Sequence, residues 1–308
     1  MPGASTGGFS PIDDCVDFPC LLPSFVSVNQ TPPCTRYIRC TVEYDGAQFA
    51  GSQLQPDVPT VQGTIETALA RLFDAPVRIS AAGRTDAGVH ATAQEVAFAV
   101  PDRWTPGSLL KSLVSVLPGE VGIVALREAE PDFHPRFSAT GRRYEYFVGD
   151  QAAALSPLRA GRIWQLGRPV PIASLRSAST ALLGPGDFTA LSRSGQPERG
   201  TRCTIERATW IRTPVGDLRF EIVADRFLHR MVRYVVAVLV EIATESRAED
   251  ELRALLSGGG KATPPRPAPP EGLYLTGVRY GDGWNRRSGV PGLWPLATDR
   301  QQAVSRPD

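Results

Sequence analysis

The chain is organised around the segment Ala81-Ala82-Gly83-Arg84-Thr85-Asp86-Ala87-Gly88-Val89-His90, which lies between two apolar runs at 77–80 and 95–100. We predict that both runs are strands and that the segment is the loop joining them. A hairpin loop normally needs only a few turn residues. This one carries a cation, a carboxylate, a histidine and two glycines, Gly83 and Gly88, which allow a sharp turn or a close approach to a ligand.

Two charged side chains in this loop could take part in catalysis or binding. Asp86 can act as an acid, a base or a nucleophile, and Arg84 can hold a phosphate through two parallel N–H bonds. They flank one residue, so an extended backbone would place both on the same side. For an arbitrary loop of this composition, a turn with a surface ion pair is the commoner interpretation.

Length and composition predict an ordinary globular protein. A chain of 308 residues with 42% hydrophobic and 21% charged residues can form one large domain or two of usual size. The formal net charge of +1 argues against strong non-specific binding to nucleic acid. Only Lys111 and Lys261 among the 33 basic residues are lysine. The arginines supply planar donors suited to phosphates and bases.

The cysteines do not predict a metal site. Their spacings lack the paired C-x-x-C of structural zinc sites, so we expect no metal and reduced thiols. The chain start has no basic n-region, and the apolar segment 227–243 is too short and too charged to span a bilayer. We therefore expect a cytoplasmic protein with no membrane partner. The cysteines are Cys15, Cys20, Cys34, Cys40 and Cys203.

Hydrophobic periodicity predicts the order β-α-β-β-α-β twice, over 36–140 and over 141–281, which is typical of ferredoxin-like units in an α+β protein. Residues 1–35 are predicted to be a disordered extension and 282–308 a C-terminal tail. The predicted strands cover 37–44, 77–80, 95–100, 121–126, 143–149, 204–212, 218–224 and 273–280. The predicted helices begin after Thr60 and at Pro106 in the first half, and cover 172–183 and 227–243 in the second.

The loop resembles a known signature. Residues 83–90 are similar to the catalytic motif of the TruA family of tRNA pseudouridine synthases, and the resemblance extends over about 36–280. The family usually carries a tryptophan where this chain has Ser52. Further similar stretches are Glu43-Tyr44-Asp45-Gly46, Val61-Gln62, 133–146, 187–191, 227–233 and 271–275.

The resemblance implies a fold and a reaction. The expected fold is the pseudouridine synthase fold, in which two ferredoxin-like halves form one mixed, largely antiparallel sheet with a central RNA-binding cleft. The expected reaction isomerises uridine to pseudouridine at positions 38, 39 and 40 of the tRNA anticodon stem-loop. No cofactor is implied, since no electron or group is transferred. The implied partners are tRNA and a second copy of the chain in a homodimer.

The resemblance also implies roles for individual residues. Asp86 is the expected catalytic carboxylate, and Arg84 fills the space of the extruded base or holds its phosphate. Tyr144 packs against the target uracil. Arg233 pairs with Asp86 and keeps it ionised. Leu275 lines the pocket.

Without the resemblance, simpler interpretations apply. Tyr144 would be a core aromatic residue on a strand, Arg233 a surface residue with a buried stem, and Leu275 a core residue. His90 and His134 are interpreted as RNA-contacting or structural. The basic clusters are expected to line one RNA groove, with Arg142 and Arg143 as a rim beside Tyr144. These clusters are Arg193, Arg199 and Arg202; Arg226, Arg230 and Arg233; and Arg142 and Arg143.

Three alternatives remain open. A non-catalytic RNA-binding protein built from ferredoxin-like modules would need a strand motif of the type K/R-G-F/Y-G/A-F-V, which we do not find. A glycoside hydrolase would need two carboxylates across the scissile bond, whereas Asp86 stands alone among basic groups. A pseudouridine synthase with other RNA targets is the third alternative.

Overall fold

The computed structural model describes residues 35–193, 200–257, 264, 266–281 and 283–286, which all belong to one compact unit. The predicted N-terminal extension lies outside these residues except for Thr35, which begins the first strand. The predicted tail also lies outside them, except for 283–286.

The strands and helices alternate along the chain. The strands within the described residues are β1 (Thr35–Tyr44), β2 (Ser80–Ala81), β3 (His90–Pro101), β4 (Val121–Glu128), β5 (Gly141–Gly149), β6 (Trp164–Gln165), β7 (Gly184–Asp187), β8 (Arg202–Arg212), β9 (Leu218–Ala224), β10 (Leu273–Tyr280) and β11 (Gly283–Arg286). The α-helices are α1 (Val61–Phe73), α2 (Pro106–Val116), α3 (Ile172–Ser179), α4 (Met231–Ala243) and α5 (Glu249–Leu256).

All these strands form one mixed sheet in the order β4-β1-β3-β10-β5-β9-β8-β7, with β2 beside β3, β6 beside β5 and β11 beside β10. Within each half the main strands follow the same arrangement: β4-β1-β3-β2 in the first and β10-β5-β9-β8 in the second. The two sets meet where β3 and β10 run parallel, with Tyr274 opposite His90 and Leu275 opposite Ala91. This junction directly follows the loop at 82–89.

The first two helices begin where side chains can cap them. Thr60 Oγ1 accepts a hydrogen bond from the backbone N–H of Gly63 at 3.2 Å. Thr105 and Ser108 form a reciprocal capping box, and Pro106 occupies the first turn. These residues satisfy backbone donors that a helix start leaves unpaired, which confirms the predicted starts.

The predicted strand at 77–80 is wrong, because only Ser80–Ala81 pairs with β3. The carboxylate of Glu66 on α1 accepts a hydrogen bond from the backbone N–H of Ile79 at 3.0 Å and another from Arg78 at 2.7 Å. The Glu66 side chain therefore accepts a backbone hydrogen bond that would otherwise go to a neighbouring strand. The predicted strand at 95–100 extends back to His90.

Two predicted helices are shorter than their apolar patterns. The helix predicted over 227–243 begins at Met231, because Arg230 adopts the left-handed conformation with φ 62° and ψ 5°. A non-glycine residue in that region interrupts a right-handed helix. The helix predicted over 172–183 ends at Ser179 and continues as a 3₁₀ turn over Thr180–Leu182.

Two large hydrophobic cores lie against the sheet, and each includes at least one side chain from the opposite half. The core of the second half includes α4 and also Val89, which follows Asp86 in the loop. The core of the first half includes α1, α2 and also Leu275 from β10. Tyr144 packs against both cores. Burying large apolar side chains stabilises a fold by roughly 1.5–3 kcal/mol each, so these insertions tie the halves together.

Candidate active site

The loop between β2 and β3 is held by the segment before α1. The backbone N–H of Ser52 donates to Thr85 O at 3.1 Å, and Ser52 Oγ accepts from the backbone N–H of Thr85 at 2.8 Å. The N–H of Gly88 donates to Phe49 O at 3.4 Å. These bonds bracket Asp86 on both sides. Ser52, which stands where the motif that it resembles usually has tryptophan, therefore fixes the loop.

The loop packs so closely that glycine is required beside it. Gly51 has φ +113°, and a Cβ there would lie 3.0 Å from Thr85 O. Gly88 has φ +78°, and a Cβ there would lie 3.0 Å from Pro270 Cγ. Larger residues would be strained at both positions. The backbone around Asp86 is thus fixed by sterics as well as by hydrogen bonds.

A buried tyrosine supports the loop from the sheet. The hydroxyl of Tyr44 lies 2.9 Å from Thr85 Oγ1. Burial raises the pKa of Tyr44 to about 12, although hydrogen bonds with Thr85 and Gln94 act in the opposite direction. The neutral phenol is therefore the form that the fold accommodates.

The carboxylate of Asp86 is surrounded by basic side chains from α4 and the turn before it. Asp86 Oδ2 lies 2.8 Å from Arg233 Nη1 and 3.6 Å from Arg230 Nε. Asp86 Oδ1 lies 3.2 Å from His229 Nε2. The side chain of Asp86 remains 18% exposed, so part of the carboxylate is accessible from solvent.

Arg233 is fixed on the side away from Asp86. Its Nε donates to Ala268 O at 2.7 Å, and the N–H of Ala268 donates to Arg233 O at 3.0 Å. The arginine side chain is 10% exposed. The structure thus brings together Arg233 and Asp86, two residues 147 positions apart.

Tyr144 and Leu275 lie side by side on neighbouring strands. They are opposite each other in the pairing of β5 with β10. Tyr144 is half-buried and meets the ring of Phe227 edge-on, with centroids 5.0 Å apart. Burial raises the pKa of Tyr144, and the charges of Tyr44 and Asp86 add to the effect while Arg142 opposes it. Leu275 is 1% exposed and lies in the first core.

Arg84 differs from the other predicted site residues because it is exposed. No described residue forms a hydrogen bond or ion pair with its guanidinium. The carbonyl of the preceding residue, Gly83, accepts from Gln94 Nε2 at 3.0 Å and so anchors the backbone. Arg84 therefore projects from a fixed loop two residues from Asp86, although the two side chains differ in burial.

The basic rim predicted at Arg142 and Arg143 is wrong, because both guanidinium groups are used inside the protein. Arg143 Nη2 pairs with Glu145 and Glu221, each at 2.6 Å, on the sheet face opposite Tyr144. Arg142 donates to four backbone carbonyls, those of Ala82, Arg136, Ala139 and Asp225. Of the other predicted clusters, Arg199 lies outside the described residues.

The histidines have different surroundings. His90 is 2% exposed, and its ring stacks on Tyr274 with centroids 4.6 Å apart. Its Nδ1 accepts from the N–H of Gly46 at 3.0 Å, and burial lowers the pKa of His90. His90 is thus structural.

His134 Nδ1 accepts two backbone N–H bonds within its own turn, from Arg136 and Phe137. His229, in contrast, lies beside Asp86. Sequence reasoning missed His229, which lies within the apolar segment 227–243 and was assigned no role. Its available signal was the spacing of four residues from Arg233.

The side chains at this site are suited to bind a planar substrate and to act on it chemically. It offers one partly accessible carboxylate between basic groups, with an aromatic ring nearby. Within the described ranges, no group of three or more His, Cys, Asp or Glu could hold a metal ion. No described helix is long and apolar enough to cross a membrane.

Comparison with known proteins places the site in context. A family model described as tRNA pseudouridine synthase matches residues 41–138 and 178–281. The first stretch contains Asp86, and the second contains His229, Arg233 and Leu275. The match therefore covers both sides of the ion pair.

Curated bacterial proteins are similar over most of the chain. The protein named tRNA pseudouridine synthase A of Chlorobaculum tepidum is 39% identical over 246 residues, which is 80% of this chain and 98% of the relative. The protein of the same name in Cereibacter sphaeroides is 40% identical over 243 residues, with 78% and 94% covered. That of Chromobacterium violaceum is 37% identical over 242 residues, with 78% and 92% covered.

Proposed function

This chain belongs to the tRNA pseudouridine synthase family, whose members isomerise uridine to pseudouridine in tRNA, and we propose that Asp86 is its catalytic carboxylate. One observation carries the proposal. Asp86 lies on a rigid loop, is partly accessible, and pairs with the fixed guanidinium of Arg233 at 2.8 Å. A preorganised charged group of this kind is what an active site requires.

The reaction balances without a cofactor. The C1′–N1 bond of uridine breaks, the uracil turns, and C1′ bonds to C5. N1 gains a proton and C5 loses one, so no electron or group is transferred. Asp86 can contribute by attacking C1′, by attacking the uracil ring, or by removing a sugar proton, and each route needs a free carboxylate oxygen near the substrate.

The neighbouring residues are proposed to hold the flipped-out base. Tyr144 offers an aromatic face to the uracil, and its raised pKa keeps the phenol neutral. Leu275, opposite Tyr144, supports that ring from β10. Arg84, exposed beside the carboxylate, is suited to hold a phosphate or to fill the space that the base has left. Arg233, bonded to Oδ2 at 2.8 Å, holds Asp86 in its orientation.

The finer assignments rest on the resemblance of the motifs to the family. We propose that the target uridines are at positions 38, 39 and 40 of the anticodon stem-loop. We propose that the halves at 36–140 and 141–281 form the two walls of the RNA-binding cleft, and that two copies act as a homodimer. A tRNA substrate favours a cytoplasmic location. The name tRNA pseudouridine synthase A, which these relatives carry, supports tRNA as the substrate and the isomerisation of uridine.

Tritium release tests the reaction and its targets. Isomerisation expels the C5 hydrogen, so the wild type should release tritium from tRNA that carries 5-tritiated uridine at position 38, 39 or 40 only, and Asp86→Ala should release none. Release only from tRNA labelled elsewhere would favour a synthase with other targets. Tight binding without release from any tRNA would favour a non-catalytic RNA-binding protein. Sedimentation equilibrium tests the homodimer, which a monomer at micromolar concentration would contradict.

A further inference from the structure

We propose that His229 is a positioning residue for Asp86, which orients Oδ1 in the free enzyme and yields this oxygen to the substrate. The inference rests on the proposed role of Asp86. It assigns different tasks to the two carboxylate oxygens, one of which is held permanently and the other temporarily.

The two oxygens of Asp86 have different partners. Oδ2 accepts a hydrogen bond from Arg233 at 2.8 Å and has Arg230 Nε at 3.6 Å. Oδ1 has His229 Nε2 at 3.2 Å. A ribose or uracil that approaches the side of either oxygen already facing a partner has to take the place of that side chain at the carboxylate.

Arg233 is not suited to leave. Its side chain is 10% exposed, and its other edge is bonded to Ala268. If Arg233 moved away, its mostly buried guanidinium would lose Asp86 and the carbonyl of Ala268 would lose its donor. An unpaired buried charge is costly. Oδ2 is thus held throughout the reaction.

His229 is suited to move. Its side chain is 47% exposed, so the imidazole can turn into solvent without losing a buried contact. Its backbone, in contrast, is anchored, because His229 O accepts from the N–H of Arg193 at 3.0 Å. A fixed backbone with a mobile side chain is what a displaceable partner requires.

The turn before α4 places the imidazole of His229 beside Asp86 Oδ1, the oxygen that Arg233 does not contact. Arg230 is left-handed, with φ 62°, so the helix begins only at Met231. The two side chains consequently reach Asp86 from different directions, Arg233 from the helix and His229 from the turn. Together they contact both oxygens of Asp86 and so fix the plane of the carboxylate.

The test compares His229→Leu, which removes the N–H group, with His229→Gln, which places an amide N–H near the position of Nε2. We expect the leucine variant to lower kcat for tritium release by roughly ten- to a hundredfold with KM nearly unchanged. The imidazole holds Oδ1 until the target base enters the site, a step that follows tRNA binding, and without it fewer bound complexes reach the productive arrangement. We expect glutamine to restore most of kcat. Lys111→Leu, which removes an exposed cation on α2, is the matched control and should behave as the wild type.

Several results would overturn the inference. A raised KM with unchanged kcat in His229→Leu would make His229 an RNA contact instead. Wild-type kinetics in His229→Leu, or an equal loss in the leucine and glutamine variants, would also exclude positioning through N–H. Failure of the proposed function is distinguishable in the same assay, because the wild type would then release no tritium or Asp86→Ala would still release it.

Discussion

At the scale of single residues, Ser52 illustrates how a small side chain fixes a catalytic loop. It is 7% exposed, and its hydroxyl accepts the backbone N–H of Thr85, the residue before Asp86. Removing the hydroxyl leaves that buried donor without its partner. The position of Asp86 therefore depends on a residue that has no part in the chemistry.

Ser52→Ala should destabilise the protein and slow the reaction. We expect the free energy of unfolding to fall by about 1–3 kcal/mol, the cost of an unsatisfied buried donor, and kcat to fall with it. Urea denaturation and tritium release measure the two effects. Ser115→Ala, which removes an exposed hydroxyl bonded within α2, should change stability by less than about 0.5 kcal/mol. Equal stability of Ser52→Ala and the wild type would contradict this role.

Sequence reasoning reached some residues of the site and missed others for a physical reason. Asp86 and Arg233 were predicted through motifs, and the structure pairs them. Ser52 and His229 were not assigned a role, because their contacts join segments that are far apart in the chain. The rim at Arg142 and Arg143 was predicted wrongly, because their buried carboxylate and carbonyl partners follow from strand register and not from local sequence.

At the scale of elements, the start of α4 decides which side chains reach Asp86. Its apolar pattern extends back to Phe227, yet the helix begins at Met231 because Arg230 is left-handed. Periodicity reports which residues are buried and does not report φ. Periodicity also predicted a strand at 77–80 that is absent, because the backbone N–H of Ile79 hydrogen-bonds to the side chain of Glu66 and not to a strand.

A pair of substitutions tests the strain at Arg230. Arg230→Gly and Arg230→Ala both remove the guanidinium, but only glycine adopts φ 62° without a steric cost. We expect the glycine variant to be more stable than the alanine variant by about 1 kcal/mol in urea denaturation. In an ordinary helix the order would be reversed, so an alanine variant of equal or higher stability would show that the left-handed turn is absent.

At the scale of the whole molecule, the two halves exchange core residues. Val89 from the first half lies in the second core, and Leu275 from the second half lies in the first. The pseudouridine synthase fold and the family predicted from the resemblance are confirmed by the family match. The exchange of core residues could not be predicted from the sequence, because periodicity indicated two halves but not how they pack together.

Leu275→Ala should therefore weaken both halves together. We expect the free energy of unfolding to fall by about 2–5 kcal/mol, in one transition that is the same by far-UV circular dichroism and by tryptophan fluorescence. The fluorescence reports on both cores, because Trp104 packs against the first core, which contains Leu275, and Trp210 lies in the second. Two separate transitions, with the second half unaffected, would mean that the halves fold independently.

Alkaline pH should destabilise the fold through Tyr44. Its folded-state pKa of about 12 exceeds the ordinary value of 10.0, so its contribution is complete below about pH 10 and is lost as pH rises towards 12. Between pH 8 and 11 we expect the wild type to lose about 1 kcal/mol more than Tyr44→Phe in urea denaturation. The other buried tyrosines titrate in both proteins, so the difference isolates Tyr44. An equal loss in the two proteins would contradict the prediction.

The most direct measurement of the central claim is single-turnover tritium release from 5-tritiated tRNA by Asp86→Asn, with tRNA affinity measured on the same preparation. The amide preserves the shape of the side chain but removes its charge. We predict no release above background, with tRNA still bound. Release at a rate near that of the wild type would mean that the carboxylate paired with Arg233 is not the group that carries out the reaction.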